Sequence, residues 1–182
     1  MAQPKAFAPV KLVCGVIYRE PALYEEVKTR LSQERGAVDL ESPPFAFNLT
    51  DYYAAEMGAG LHRRFLSFAE LGEPECLPAL KLWTNALEER IRTERGLPGR
   101  PANIDPGYLT ASALVMATTK DFSHRIPLGQ GIYAHLEFLF TKGGVKVLDW
   151  TYPDFRTAPV QEFFLELRGR FLRAVRRTPP GR

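Results

Sequence analysis

Cysteine is scarce in this chain. Cys14 and Cys76 are the only two, and they stand far apart, so a disulfide-stapled secreted scaffold is not expected. Cys14 falls in an apolar run and reads as a buried free thiol. Histidine is limited to His62, His124 and His135, with no His-x-x-x-His or Cys-x-x-Cys pair, so no metal site is expected. No apolar run approaches the ~20 residues that a membrane helix needs. The start, MAQPKAFAPVKL, lacks the apolar core of a secretory leader. These absences predict a cytoplasmic protein with no membrane partner. Internal repeats and low-complexity linkers are also missing.

What is present is an ordinary globular composition. The 182 residues are 45% hydrophobic and 25% charged, which suits one domain that buries its own core. The formal charge is +3, but residues 157–182 hold six Arg and two Glu, a local balance of +4 that leaves −1 for the rest. The domain is expected over 1–182, with an ordered core from about 9 to 176 and a frayed tail, TPPGR.

Hydrophobic spacing then suggests elements. VKLVCGVIY (10–18) is a nearly continuous apolar run, as in a buried central strand. Pro21 opens a helix in which Leu23, Val27 and Leu31 recur, and Gly36 stops it. AVDLES reads as a second strand ended by Pro43-Pro44. FNLTDYYAAEMGAG reads two ways: a short helix capped by Thr50 or Asp51 and ending at Gly58, or an extended segment. LHRRFLSF suggests a strand. Pro74 starts a helix with the stripe Leu77, Leu80, Trp83, Leu87 and Ile91. Gly129-Gln130-Gly131 and Lys142-Gly143-Gly144 are turns between HRIPL, IYAHLEFLF and VKVLDW, read as a three-stranded antiparallel meander. Val160, Phe163, Phe164, Leu167, Phe171 and Val175 mark a last amphipathic helix, with Arg168, Arg170, Arg173 and Arg177 opposite. The sum is an α+β fold: a mixed sheet with an N-terminal strand-helix-strand unit, a C-terminal meander, and helices mainly on one face.

The stretch NIDPGYLTASALVMATTKDFSHRIPLGQG (103–131) is dense in reactive side chains. If Lys120, Asp121, His124 and Arg125 lie on a loop that leaves a helix for a strand, they converge at a sheet edge. Lys120 and Arg125 would then bind an anion, with Asp121 orienting His124 for acid–base work. The plainer reading is a capped, solvated turn. In NIDPGYL, Asn103, Asp105, Pro106 and Gly107 make a strong turn signal. The alternative makes Asp105 a base or a metal-binding carboxylate facing Lys120 and His124, with Asn103 and Tyr108 as ligand-binding residues. DWTYPDFR offers Trp150, Tyr152 and Phe155 to stack on a ring and Asp154 and Arg156 to read its polar edge, or else an ordered loop. Asp51 and Tyr52 pose the same choice. Ser123 adjoins His124, but no Gly-x-Ser-x-Gly elbow is present and adjacent strand residues face opposite ways, which argues against a triad.

SPPFAFNLTDYYAAEMG, RRFLSFAEL, NIDPGYL, TTKDFSHRIPLGQGIYA and WTYPDFR, in that order, resemble one prokaryotic family, catalogued as domain of unknown function 4416. The resemblance runs from about Pro9 to about Val175 and implies no activity. Members are sometimes labelled GTP-binding. Here no G-x-x-x-x-G-K-[ST] loop exists, and Thr119-Lys120-Asp121 places its Asp one residue too early for an Asn-Lys-x-Asp motif.

Two classes of function follow. In the first, the protein binds, or acts as an enzyme on, an anionic small molecule, phosphorylated or nucleotide-like. Asp105, Asp121 and His124 would handle protons. Asn103, Tyr108, Lys120, Arg125, Asp51, Tyr52, Trp150, Tyr152, Asp154 and Arg156 would line the cleft. In the second, a non-catalytic module docks protein or RNA on the basic last helix; support for nucleic acid is weak because no recognised module is present. The sequence names no cofactor, reaction or oligomeric state.

Overall fold

The computed structural model describes residues 3–177. β1 (Val10–Tyr18) is buried along all nine residues, so it needs cover on both faces. α1 (Pro21–Arg35) provides part of it with Leu23, Tyr24, Val27 and Leu31. It stops at Gly36, whose φ of 87° suits glycine. β2 (Val38–Glu41), β3 (Phe45–Ala46), a one-turn α2 (Ala54–Met57) and β4 (His62–Gly72) follow. A 3₁₀ turn at Pro74–Cys76 leads into α3 (Leu77–Glu94). Then come β5 (Ala102–Leu109), β6 (Ala113–Thr118), β7 (Ile126–Gly129), β8 (Ile132–Thr141) and β9 (Gly144–Val147). A second 3₁₀ turn, Pro153–Arg156, precedes α4 (Ala158–Arg177).

The sheet order is β2-β4-β1-β5-β6-β8-β7, with β3 on β4 and β9 on β8. Every pairing is antiparallel, which corrects the expected mixed sheet. β1 and β2 do run in the same direction, but β4 lies between them and opposes both. The three-stranded meander is corrected too. β6 pairs with one edge of β8, and β7 and β9 share the other edge end to end.

Alternate residues of β1 divide the core. Val10, Leu12, Cys14, Val16 and Tyr18 face α1 and α3. Val13 faces the opposite cluster, where Phe65 and Phe138 meet Val160, Phe163, Phe164, Leu167 and Phe171 of α4. Two long helices thus cover one face and α4 the other. Cys14 is fully buried, and burial pushes its thiol up to about 12, so it is inert packing. The apolar stripe of α4 ends at Phe171; Val175 is exposed. Arg168 and Arg170 turn back onto the carbonyls of Ala111 and Asp39. The side chain of Arg177 and the tail 178–182 lie outside the described residues. The whole is one α+β domain. Among the described residues no helix is long and apolar enough to cross a membrane.

Candidate functional site

The expected turn at NIDPGYL is a strand, and a central one. β5 pairs with β1 along its whole length, from Lys11↔Leu109 to Tyr18↔Ala102. Its other edge pairs with β6 only from Gly107↔Met116 to Leu109↔Leu114. Ahead of Gly107 the two strands part. Antiparallel alternation points the N–H and C=O of residues 104 and 106 into this fork. Side chains of α3 take the place of the missing strand: Ile104 N–H donates to Glu88 Oε1 at 2.6 Å, and Lys81 Nζ donates to the Ile104 carbonyl at 2.9 Å. Pro106 has no N–H to leave unpaired, which is why a proline is tolerated here. One more rung would pair Pro106 with Ala117, so the Ala117 carbonyl meets no donor across the fork. Gly107 marks the closest approach: a Cβ there would collide with Met116 Sδ and the Val115 carbonyl.

A cavity of about 570 Å³ fills the fork and passes through the sheet. Lys81, Asn85, Glu88 and Glu89 of α3 wall it from one face. Arg63 of β4 and Tyr152, Asp154 and Phe155 wall it from the other. The end of β6 contributes Thr118, the segment just after it Thr119 and Lys120, and the loop before α2 contributes Phe47, Thr50, Tyr52 and Tyr53.

Buried charge holds the wall. Asp105 accepts from Lys81 Nζ at 2.8 Å, Arg63 at 3.4 Å and Asn103 Nδ2 at 2.6 Å. Arg63 also pairs with Asp154. Burial alone would raise the Asp105 carboxyl, but Lys81 and Arg63 outweigh it and hold it below the usual carboxylate range. An anchored, stabilised carboxylate is a poor base. Arg100 grips Glu56 through two bonds of 2.8 Å and reaches Glu88 at 2.8 Å. Burial raises the Tyr53 and Tyr152 phenols, so both stay protonated at neutral pH.

Behind this wall Arg125 is a hub. It donates to the Lys120 carbonyl at 2.8 Å, to Tyr152 Oη at 2.7 Å and to His135 Nδ1 at 3.1 Å. The His135 ring lies flat on Tyr152, 4.8 Å between centroids. Its Nε2 stands 3.1 Å from Glu137 Oε2 without hydrogen-bond alignment. Burial pushes the Glu137 carboxyl up, and its Oε1 accepts from the Tyr152 N–H at 2.6 Å.

Of the residues singled out in the sequence, Asn103, Asp105, Lys120, Tyr52, Tyr152 and Asp154 share the cavity. Arg125, His124 and Trp150 stand just outside it. His124 stacks on Trp150 at 4.8 Å, with Nε2 3.4 Å from His135 Nδ1. Desolvation first, then His135 and Arg125, lower its pKa. Four residues are placed elsewhere. Asp121 is exposed, and no bond joins it to His124 among the described residues, because the segment leaves strand β6 and not a helix. Tyr108, at an even position of β5, packs on Leu77 and Val115 on the opposite side from Asp105. Asp51 is exposed and its carbonyl accepts from Ala54. Arg156 braces its loop through the carbonyls of Leu148, Asp149 and Thr151.

Arg63, Lys81, Glu88 and His135 were not singled out as site residues. A signal existed: Lys81, Thr84 and Glu88 interrupt the apolar stripe of α3, and Arg63 shares the inward parity of Phe65. Among the described residues no group of three His, Cys, Asp or Glu side chains is placed to hold a metal ion.

Fold and site together define an antiparallel α+β domain with a charge-lined cavity in a split sheet. Residues 8–171 match the family described as a domain of unknown function (DUF4416), and the chain belongs to that family. It matches no curated protein and no solved structure.

Proposed function

We propose that this is a small-molecule binding protein whose split-sheet cavity takes an anionic ligand, with Lys120 contacting the anion. One observation carries the reading. Among the described charged residues of the wall, Lys120 is the cation without a carboxylate partner. Arg63, Lys81 and Arg100 are matched by Asp105, Asp154, Glu56 and Glu88. Its ammonium instead lies 3.4 Å from the centre of the Tyr52 ring, a contact that leaves its charge available to an anion. Binding is favoured over catalysis because the carboxylates of the wall are already engaged by cations and burial holds the Tyr53 and Tyr152 phenols protonated. A protein or RNA partner on α4 is less well supported, since Arg168 and Arg170 serve their own fold. Two unpaired thiols suit a cytoplasmic setting.

A thermal-shift screen of a metabolite library on wild type, Lys120→Ala and His124→Ala tests this. A ligand at 100 times its Kd stabilises by about 2.7 kcal/mol. The shift is expected to vanish in Lys120→Ala and persist in His124→Ala. Equal shifts in all three proteins would place the ligand elsewhere and overturn the reading.

A further inference from the structure

We infer, on the basis of that cavity reading, that the ligand is a planar ring carrying one anionic group, a carboxylate or a phosphate monoester, and not a polyphosphate. The charge around the cavity decides the anion. Four cations line it, Arg63, Lys81, Arg100 and Lys120, against four carboxylates, Glu88, Glu89, Asp105 and Asp154. Just outside the lining, Arg92 pairs with Glu89 and Glu56 with Arg100, which leaves the balance unchanged. The wall is therefore neutral in sum, and one ammonium is open to one anionic group. Further phosphates would bring negative charge against Asp154 and Glu88 with no cation left to meet it.

The ring follows from the other lining groups. Tyr52, Tyr53 and Tyr152 stand at the Lys120 end of the cavity, and Phe47 and Phe155 extend the aromatic surface. Aromatic faces take planar rings by offset or edge contacts. The open rung at Pro106 supplies an edge reader: the Ala117 carbonyl accepts an N–H from a ring lying in the fork, as the next strand would have donated one. Arg125 fixes Lys120 and Tyr152 relative to each other, so anion contact and ring contact are set by one guanidinium.

Isothermal titration of the full chain tests this with the four nucleoside 5′-monophosphates, their nucleosides and triphosphates, and the pyrimidine carboxylate orotate. A monophosphate or orotate is expected to bind, and which of them does so distinguishes phosphate from carboxylate. The matching nucleoside and triphosphate should each bind at least tenfold more weakly. Lys120→Ala should erase the preference over the nucleoside. Asp154→Asn, which leaves Arg63 and Lys81 sharing the one carboxylate of Asp105 and so adds a net positive charge to the wall, should move the preference toward the triphosphate. A triphosphate that binds wild type more tightly than its monophosphate overturns the single-anion assignment, and silence across the panel overturns the ring-and-anion assignment. In either case a ringless anion from the library that still depends on Lys120 preserves the cavity reading, whereas no Lys120-dependent ligand removes both.

Discussion

The two ends of β5 share one strand and one partner, β1, yet they are held in opposite ways. From Gly107 to Leu109 the strand is paired on both edges and packed among apolar side chains. From Ala102 to Pro106 its outer edge meets no strand. Lys81 and Glu88 satisfy the backbone of Ile104, while Arg63 and Lys81 hold Asp105. An unsatisfied buried backbone group costs about 1–3 kcal/mol, so a ladder that stops early must find donors and acceptors elsewhere. Here they come from long charged side chains, and a row of those around a gap forms the wall of the cavity.

The sharpest way to break the contrast is Arg63→Met. The side chain is 7% exposed and serves both Asp105 and Asp154. Its loss strands buried carboxylates, with an expected cost of about 3–5 kcal/mol in urea denaturation. Adding Asp154→Asn should recover part of that loss, whereas a purely steric role for Arg63 would give no recovery. The acid limb moves as well. The Asp105 carboxyl is held low, so its contribution is present above the ordinary carboxylate range and is lost as pH falls through the folded-state value. Without Arg63 that loss should begin at higher pH.

Gly107→Ala attacks the hinge between the two ends. The new methyl meets Met116 Sδ and the Val115 carbonyl, and backbone cannot swing aside as a side-chain tip can. About 1–3 kcal/mol of destabilisation is expected, with amide exchange accelerated at Tyr108 and Leu109. An unchanged midpoint would mean that the strands separate there without strain.

The closed end and the outer frame were legible in the sequence; the open end was not. β1, α1, α3 and α4 announced themselves because long apolar runs and helical stripes have no other use. β5 did not, because Asp105-Pro106-Gly107 carries the chemistry of a turn, and only a fork beside the strand makes that proline harmless. The mixed sheet failed for a related reason: strand, helix, strand in sequence does not reveal that β4 will occupy the slot between β1 and β2. At the site, Asn103, Asp105 and Lys120 drew notice by clustering in sequence. Arg63, Lys81 and Glu88 were masked by apolar neighbours, although a charge inside an apolar stripe is itself the signal of a buried partner.

Pro106→Ala is the mildest change and the most direct test of why the fork stays open. Replacing the ring loosens the unfolded chain, which costs about 0.4–1 kcal/mol. It also gives residue 106 an N–H aimed at the Ala117 carbonyl, so the β5–β6 ladder can gain a rung. The two effects oppose each other, and the net change in stability should stay within about 1 kcal/mol. The cavity should respond more than the stability does, because the new rung draws β6 toward β5 across its floor. Hydrogen exchange separates the outcomes. A protected amide at position 106, together with a weakened Lys120-dependent ligand, would establish that proline keeps the strands apart. A fast-exchanging amide and unchanged binding would instead assign the fork to Lys81 and Glu88, whose grip on Ile104 would then suffice to hold β6 away.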